Sequence, residues 1–253
     1  MSGNLIVGSS HALGFAQAVG DFSATADEAK DRVLPIGAHS GRETYLLFTR
    51  PSQGFVRLER GDAQGARVAF DPPIDEFRAF NAKTSKIVFM LGGHEPAGRF
   101  FYRDPKPFDF FHPEVAQTDV GRQILPVAHM RQVMSDLLRR TALVTEALVK
   151  EVPKAKTYYV AVPPPIPSDD HIRKFPEIFE FDKYGIEDRF VRLKLYKLQM
   201  EYMSAFCARN RMNFVGAPPS NLDEHGFLKE EYWQGCTHAG VGYYREIVEA
   251  LAL

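Results

Sequence analysis

The amino-acid sequence predicts an α/β fold, a three-layer αβα sandwich with a parallel central sheet. Three observations predict it. Short apolar runs alternate with longer stretches of helical periodicity, the order that builds a parallel sheet covered on both faces. One run, Lys86-Ile-Val-Phe-Met-Leu91, is apolar almost without a break, as expected of a strand buried on both sides. Several runs stop abruptly at small and polar residues, the composition of turns at strand ends.

The first strand covers residues 4–7 and runs straight into Gly8-Ser9-Ser10-His11; residues 12–19 follow as a helix that Gly14 weakens. A second strand, 33–36, leads into Gly37-Ala-His-Ser-Gly41. Between 45 and 70, the β-like runs 45–49, 55–58 and 66–70 are punctuated by Pro51, Gly54, Gly61 and Gly65. That pattern predicts a β-rich insertion, a hairpin or small meander near a sheet edge. After the apolar strand at 86–91, residues 100–111 carry six aromatic rings, too many for an ordinary solvated loop. They are expected to form a lid, with Phe110 and Phe111 binding substrate.

Val127, Met130, Met134, Leu137, Leu138 and Leu148 fit a long helix that Pro153 ends. Residues 157–162 form the next strand, closed by Pro163-Pro-Pro165. A helix over about 186–209, a strand at 213–216 and a terminal amphipathic helix at 243–251 complete the alternation. The charges at Arg139-Arg140 and Glu187-Asp188-Arg189 read as solvated helix faces. No repeat or linker interrupts the chain, which reads as a single domain over residues 1–253.

Composition narrows the function. The 253 residues are 45% hydrophobic and 25% charged, with 31 Lys+Arg against 32 Asp+Glu and a net charge of −1. That balance argues against nucleic-acid binding by bulk phosphate neutralisation. No apolar run approaches a membrane span, and the N-terminal residues lack a secretory pattern, so a cytoplasmic location is expected. The two cysteines, Cys207 and Cys236, make neither a disulfide framework nor a four-ligand zinc site. The eight histidines hold no metal-ligand spacing, and neither G-x-G-x-x-G nor a phosphate-binding Gly-Lys-Ser/Thr loop occurs. No metal and no organic cofactor is expected.

Functional groups of such sheets gather at the carboxyl ends of the strands. Those ends carry Ser9-Ser10-His11, Ser40-Gly41 and Gly92-Gly93-His94-Glu95, and Gly235-Cys-Thr-His238 precedes the terminal helix. A serine at a strand-to-helix turn faces backbone N–H groups and the positive end of a helix dipole, which suits a nucleophile next to an oxyanion. A histidine from elsewhere in the chain can supply its general base. Ser9 reads as a cap or turn residue, His11 as a loop residue, and Cys236 as a small buried one.

Three blocks of this sequence resemble the SGNH or GDSL-type hydrolases. Asn4-Leu-Ile-Val-Gly-Ser-Ser-His-Ala12 is similar to their first block, with Ser9 in place of the Asp and Ser10 on the nucleophile. Phe89-Met-Leu-Gly-Gly-His-Glu95 is similar to the block ending G-x-N-D, with His94 where the oxyanion-binding Asn stands. Gly235-Cys-Thr-His-Ala239 is similar to the last block, D-x-x-H, with His238 as the base and Gly235 where the acid stands. The oxyanion glycine of the remaining block is Gly41, or alternatively Gly54 or Gly37.

The resemblance implies a serine-dependent ester hydrolase or acyltransferase acting on a small acyl ester, on a carbohydrate or lipid. Ser10 and His238 would be catalytic, and the Ser10 N–H, Gly41 and His94 would form the oxyanion hole. The missing acid would be replaced by a backbone carbonyl, a water, or one of Asp223, Glu224, Glu230 and Glu231. The alternative is a catalytically impaired relative that binds a glycan or a protein partner.

Overall fold

The computed structural model describes residues 3–20, 22–39, 42–49, 56–59, 67–71, 74–92, 102–175 and 185–253. Its core is a six-stranded sheet centred on β1 (Asn4–Gly8). On one side of β1 lie β3 (Arg42–Phe48) and then β2 (Val33–His39) at the edge. On the other lie β6 (Lys86–Met90), β9 (Lys156–Val160) and β10 (Asn213–Val215). Every pairing in this sheet is parallel except that of β2, which runs antiparallel to β3 with a register shift between Pro35 and Gly37. The central sheet is therefore mainly parallel, with one reversed edge strand.

The pleat sorts the apolar residues into two cores, as strand periodicity requires. Leu5, Val7, Leu47, Ile87, Phe89 and Tyr159 point to one face; Ile6, Leu46, Phe48, Val88, Met90 and Val160 point to the other. The second face is covered by α1 (Ser10–Val19) and α2 (Ala26–Ala29). The first is covered by α3 (Ile74–Arg78) and α4 (Val127–Glu151). A short α5 (Asp169–Ile172), capped by Ser168, buries Ile172 on the second face. Next, α6 (Arg189–Arg209) packs with α4 on the first face, and α7 (Val241–Leu251) with α1 on the second. Each Leu, Ile or Phe buried this way is worth about 1.5–3 kcal/mol, so both layers contribute heavily to stability.

Three sequence expectations are corrected. Residues 45–49 do not belong to an insertion, because the run lies largely in β3 beside β1, with Leu46 and Leu47 in opposite cores. Only β4 (Val56–Glu59) and β5 (Arg67–Phe70) form a separate antiparallel pair.

Nor is the mixed charge before α6 a solvated face. Glu187 is 1% exposed and pairs with Arg122 at 2.5 Å, while Asp188 Oδ1 caps α6 by accepting from the Phe190 and Val191 amides. Lys194, on the same helix, makes a buried ion pair with Asp109 at 2.7 Å. Periodicity could not reveal this, because α6 is also covered on its outer side, where Leu193 packs with Val115 and Phe227.

The third correction is to the expected aromatic lid, at Phe110; Phe100 and Phe101 of that run lie outside the described residues. Phe110 follows the two-residue strand β7 (Phe108–Asp109), which pairs with β8 (Gln123–Ile124). Its ring is 0% exposed in the core between the sheet and helices α4 and α6, so it has no surface to offer a substrate. Phe111 is 62% exposed. Among the described residues, no helix is long and apolar enough to cross a membrane.

Candidate active site

Leaving out the reversed edge strand, the parallel strands lie in the order β3-β1-β6-β9-β10. The chain leaves β1 towards β3 on one side and returns to β6 on the other, so the crevice of the sheet opens at the carboxyl end of β1. Ser10 stands there. Helix α1 starts at Ser10, two residues beyond the last hydrogen-bonded register Gly8↔Met90, with Ser9 in the cap position and making no side-chain cap. The first-turn amides of a helix have no intrahelical acceptor, and the helix dipole adds partial positive charge there.

His238 arrives from the other end of the chain. It lies in β12 (His238–Ala239), paired antiparallel with β11 (Trp233–Gln234) in a small hairpin that sequence patterning read as loop. The turn uses Gly235 at φ +61°, in the left-handed region that glycine enters without steric cost. The hairpin feeds directly into α7, and α7 packs on α1. Gly14, which weakens α1 as a helix former, is what permits this packing: a Cβ there would lie 2.9 Å from Tyr244 Cε2.

The result is a cavity of about 300 Å³ whose lining includes Ser10, His11, Gln17, Gln234, His238 and Tyr244. The His238 ring is tightly surrounded. Its centroid is 4.4 Å from that of His11, with the planes tilted by 32°. Thr237 Oγ1 lies 3.1 Å from His238 Nδ1. His11 is buried, and the Tyr244 hydroxyl is 3.4 Å from its Nδ1. Burial pushes the Tyr244 phenol well above its ordinary pKa, so it stays neutral. The hairpin is tied to the rest of the fold where His171 Nε2 meets the Gly235 carbonyl at 2.9 Å and the His171 ring packs on Trp233.

The structure thus brings Ser10 and His238 to one cavity. Gly41 and His94 lie outside the described residues. The residues flanking Gly41, His39 and Arg42, pair with each other at the end of the sheet where β1 begins, away from Ser10. By contrast β3 ends at Phe48 beside Gly8, at the Ser10 end, and the next glycine in the chain is Gly54. Phe110 and Phe111 are not among the residues lining the cavity.

None of the four proposed substitutes for the acid lines it either. Asp223 Oδ1 accepts from the His225 and Phe227 amides of its own turn, and Glu224, Glu230 and Glu231 are exposed. Thr237, Gln17 and Tyr244 were not foreseen from sequence. Only Thr237 carried a signal, its adjacency to His238. Among the described residues, no group of three or more His, Cys, Asp and Glu side chains is placed to hold a metal ion.

No protein-family model matches the chain, and no curated protein matches it. Solved structures do. Phospholipase A1 from Streptomyces albidoflavus NA297 aligns over 98% of this chain and 98% of its own, with 13% identity and a TM-score of 0.51. The chain has the fold of the SGNH hydrolases. An extracellular lipase from Streptomyces rimosus (11% identity, 98% of this chain and 99% of its own, TM-score 0.49) is also similar. So is a GDSL-like lipase from Bacteroides thetaiotaomicron (13% identity, 99% and 85%, TM-score 0.46). At these identities the likeness is one of fold.

Proposed function

We propose that this SGNH-fold chain is a serine-dependent ester hydrolase or acyltransferase, with Ser10 as nucleophile and His238 as general base. The observation that carries the reading is the shared cavity at the carboxyl end of β1, which Ser10 and His238 both line although they come from opposite ends of the chain. Ser10 Oγ attacks the acyl carbonyl while its proton passes to His238 Nε2. The oxyanion takes a hydrogen bond from the Ser10 amide at the start of α1. His94 and Gly54 are proposed as further donors, while the pairing of His39 with Arg42 at the far end of β1 argues against Gly41.

Collapse breaks the bond to the leaving alcohol, which takes the proton from the His238 imidazolium. Water, or a second alcohol in the transferase case, then attacks the acyl-serine with His238 again removing the proton, and collapse breaks the acyl–Oγ bond as Ser10 Oγ takes that proton back from His238. Both halves balance without a cofactor. A cavity of about 300 Å³ suits a small acyl ester, with Gln17 and Gln234 offering amide contacts to a carbohydrate or other polar alcohol.

The missing carboxylate favours a second reading, a relative that binds a glycan or a protein partner without turnover. The two separate on p-nitrophenyl acetate. Esterase activity that Ser10→Ala reduces by about a thousand-fold or more supports the enzyme reading. An equal rate in the parent and in Ser10→Ala overturns it.

A further inference from the structure

A serine–histidine pair works only if the imidazole offers a lone pair to the serine, and the tautomer is set by what the other ring nitrogen meets. Among the described residues, no carboxylate lines this cavity. What His238 Nδ1 meets is the hydroxyl of the residue before it, Thr237 Oγ1 at 3.1 Å. We infer, on the reading of Ser10 and His238 as nucleophile and base, that Thr237 is a positioning residue. Its Oγ1 accepts the Nδ1 proton of His238 and so keeps the tautomer whose Nε2 is the base.

The surroundings suit that role. Thr237 is β-branched and stiff at χ1, so little entropy is lost in holding its hydroxyl still. The turn that carries it is pinned by the Gly235 carbonyl on His171 Nε2 at 2.9 Å and by the ladder between β11 and β12. The His11 ring, 4.4 Å away, packs against the imidazole and limits its rotation. A Cβ at position 235 would lie 3.9 Å from Nδ1, so the glycine stands within reach of Nδ1 and brings no carboxylate to it. As an acceptor from Nδ1–H the hydroxyl favours that tautomer but does little for the imidazolium that forms during attack, so it supplies the orienting half of an acid's work and not the electrostatic half.

The test compares the parent with Thr237→Val, which keeps the shape and removes the hydroxyl, and Thr237→Ser, which keeps the hydroxyl. ¹⁵N spectra of the assigned His238 ring report the tautomer, and p-nitrophenyl acetate kinetics report its consequence. The parent and Thr237→Ser are expected to hold the proton on Nδ1. Thr237→Val is expected to move the population towards Nε2–H and to lower kcat about ten-fold, with KM within about two-fold. Thr237→Ala takes the same measurements should valine not be accommodated. A chain without the hydroxyl that keeps the parent tautomer and kcat overturns the positioning role. A Ser10→Ala chain with undiminished esterase activity overturns the underlying assignment of nucleophile and base, and the ring spectra keep the two failures apart.

Discussion

On the proposed reading of His238 as base, position 235 bears on how strongly it is driven. A side chain there starts 3.9 Å from Nδ1, in ordinary contact, but from a backbone at φ +61°. Aspartate tolerates that conformation better than most residues, at a strain of about 1 kcal/mol. Gly235→Asp is therefore expected to raise esterase kcat by up to about ten-fold, since an ionised acceptor is roughly twice as strong as a neutral one and also stabilises the imidazolium. Its melting temperature should fall by a few degrees, as should that of Gly235→Asn, which carries the strain without the charge. In the Gly235→Asp background, Thr237→Val should matter little. A lower kcat in Gly235→Asp with its fold intact would mean that Nδ1 is already optimally served. The meeting of Ser10 and His238 in one cavity was legible in sequence because each stands where one element gives way to another, amid small and polar residues. The places of Tyr244 and Gly14 were not, because they depend on α7 docking against α1, a contact that no spacing along the chain encodes.

Among the elements, α6 and the segment over it depart most from what patterning suggested. Strand and helix order is legible wherever one face is buried and the other wet. Helix α6 is covered on both sides, so Arg192 and Lys194 look solvated and are buried, while Arg189 and Arg209 at its ends are exposed. Lys194 is 0% exposed, holding Asp109 at 2.7 Å and Thr118 Oγ1 at 3.1 Å. Lys194→Met strands a buried carboxylate and should cost about 3–5 kcal/mol, read as a lower urea midpoint; an unchanged midpoint would mean that the pair is solvated in solution. The aromatic run divides in the same manner. Phe110→Ala should cost about 3–5 kcal/mol and Phe111→Ala within about 0.5 kcal/mol, with neither altering the KM of the proposed esterase activity in the folded chain. His112, in the segment between β7 and β8, supplies a pH test. Burial holds its imidazole below the usual value against the opposing charges of Glu201 and Glu114. As pH falls below about 6.5 the unfolded chain takes up a proton that the folded His112 resists, so stability declines. His112→Gln should flatten the fall in melting temperature between about pH 7.5 and about pH 5, and an unchanged slope would assign that fall to other groups.

Across the whole molecule, two apolar layers hold the sheet from both sides and leave its carboxyl end free to carry chemistry. The layers were legible because β1, β3 and β6 are apolar on both faces. The reversed direction of β2 was not, because direction depends on the length and course of a connection rather than on the pattern within the strand. That reversal bears on the site: it takes the end of β2 to the opposite end of the sheet and leaves β1, β3 and β6 as the strands that converge where Ser10 begins α1. The central claim is that Ser10 is a nucleophile activated by His238. Treatment with a fluorophosphonate, followed by intact mass and peptide mapping, tests it most directly. A single adduct on the peptide carrying Ser10, absent in Ser10→Ala and formed much more slowly in His238→Gln, is the predicted result. An adduct on a different serine, or none in a chain that still cleaves the ester, would contradict it.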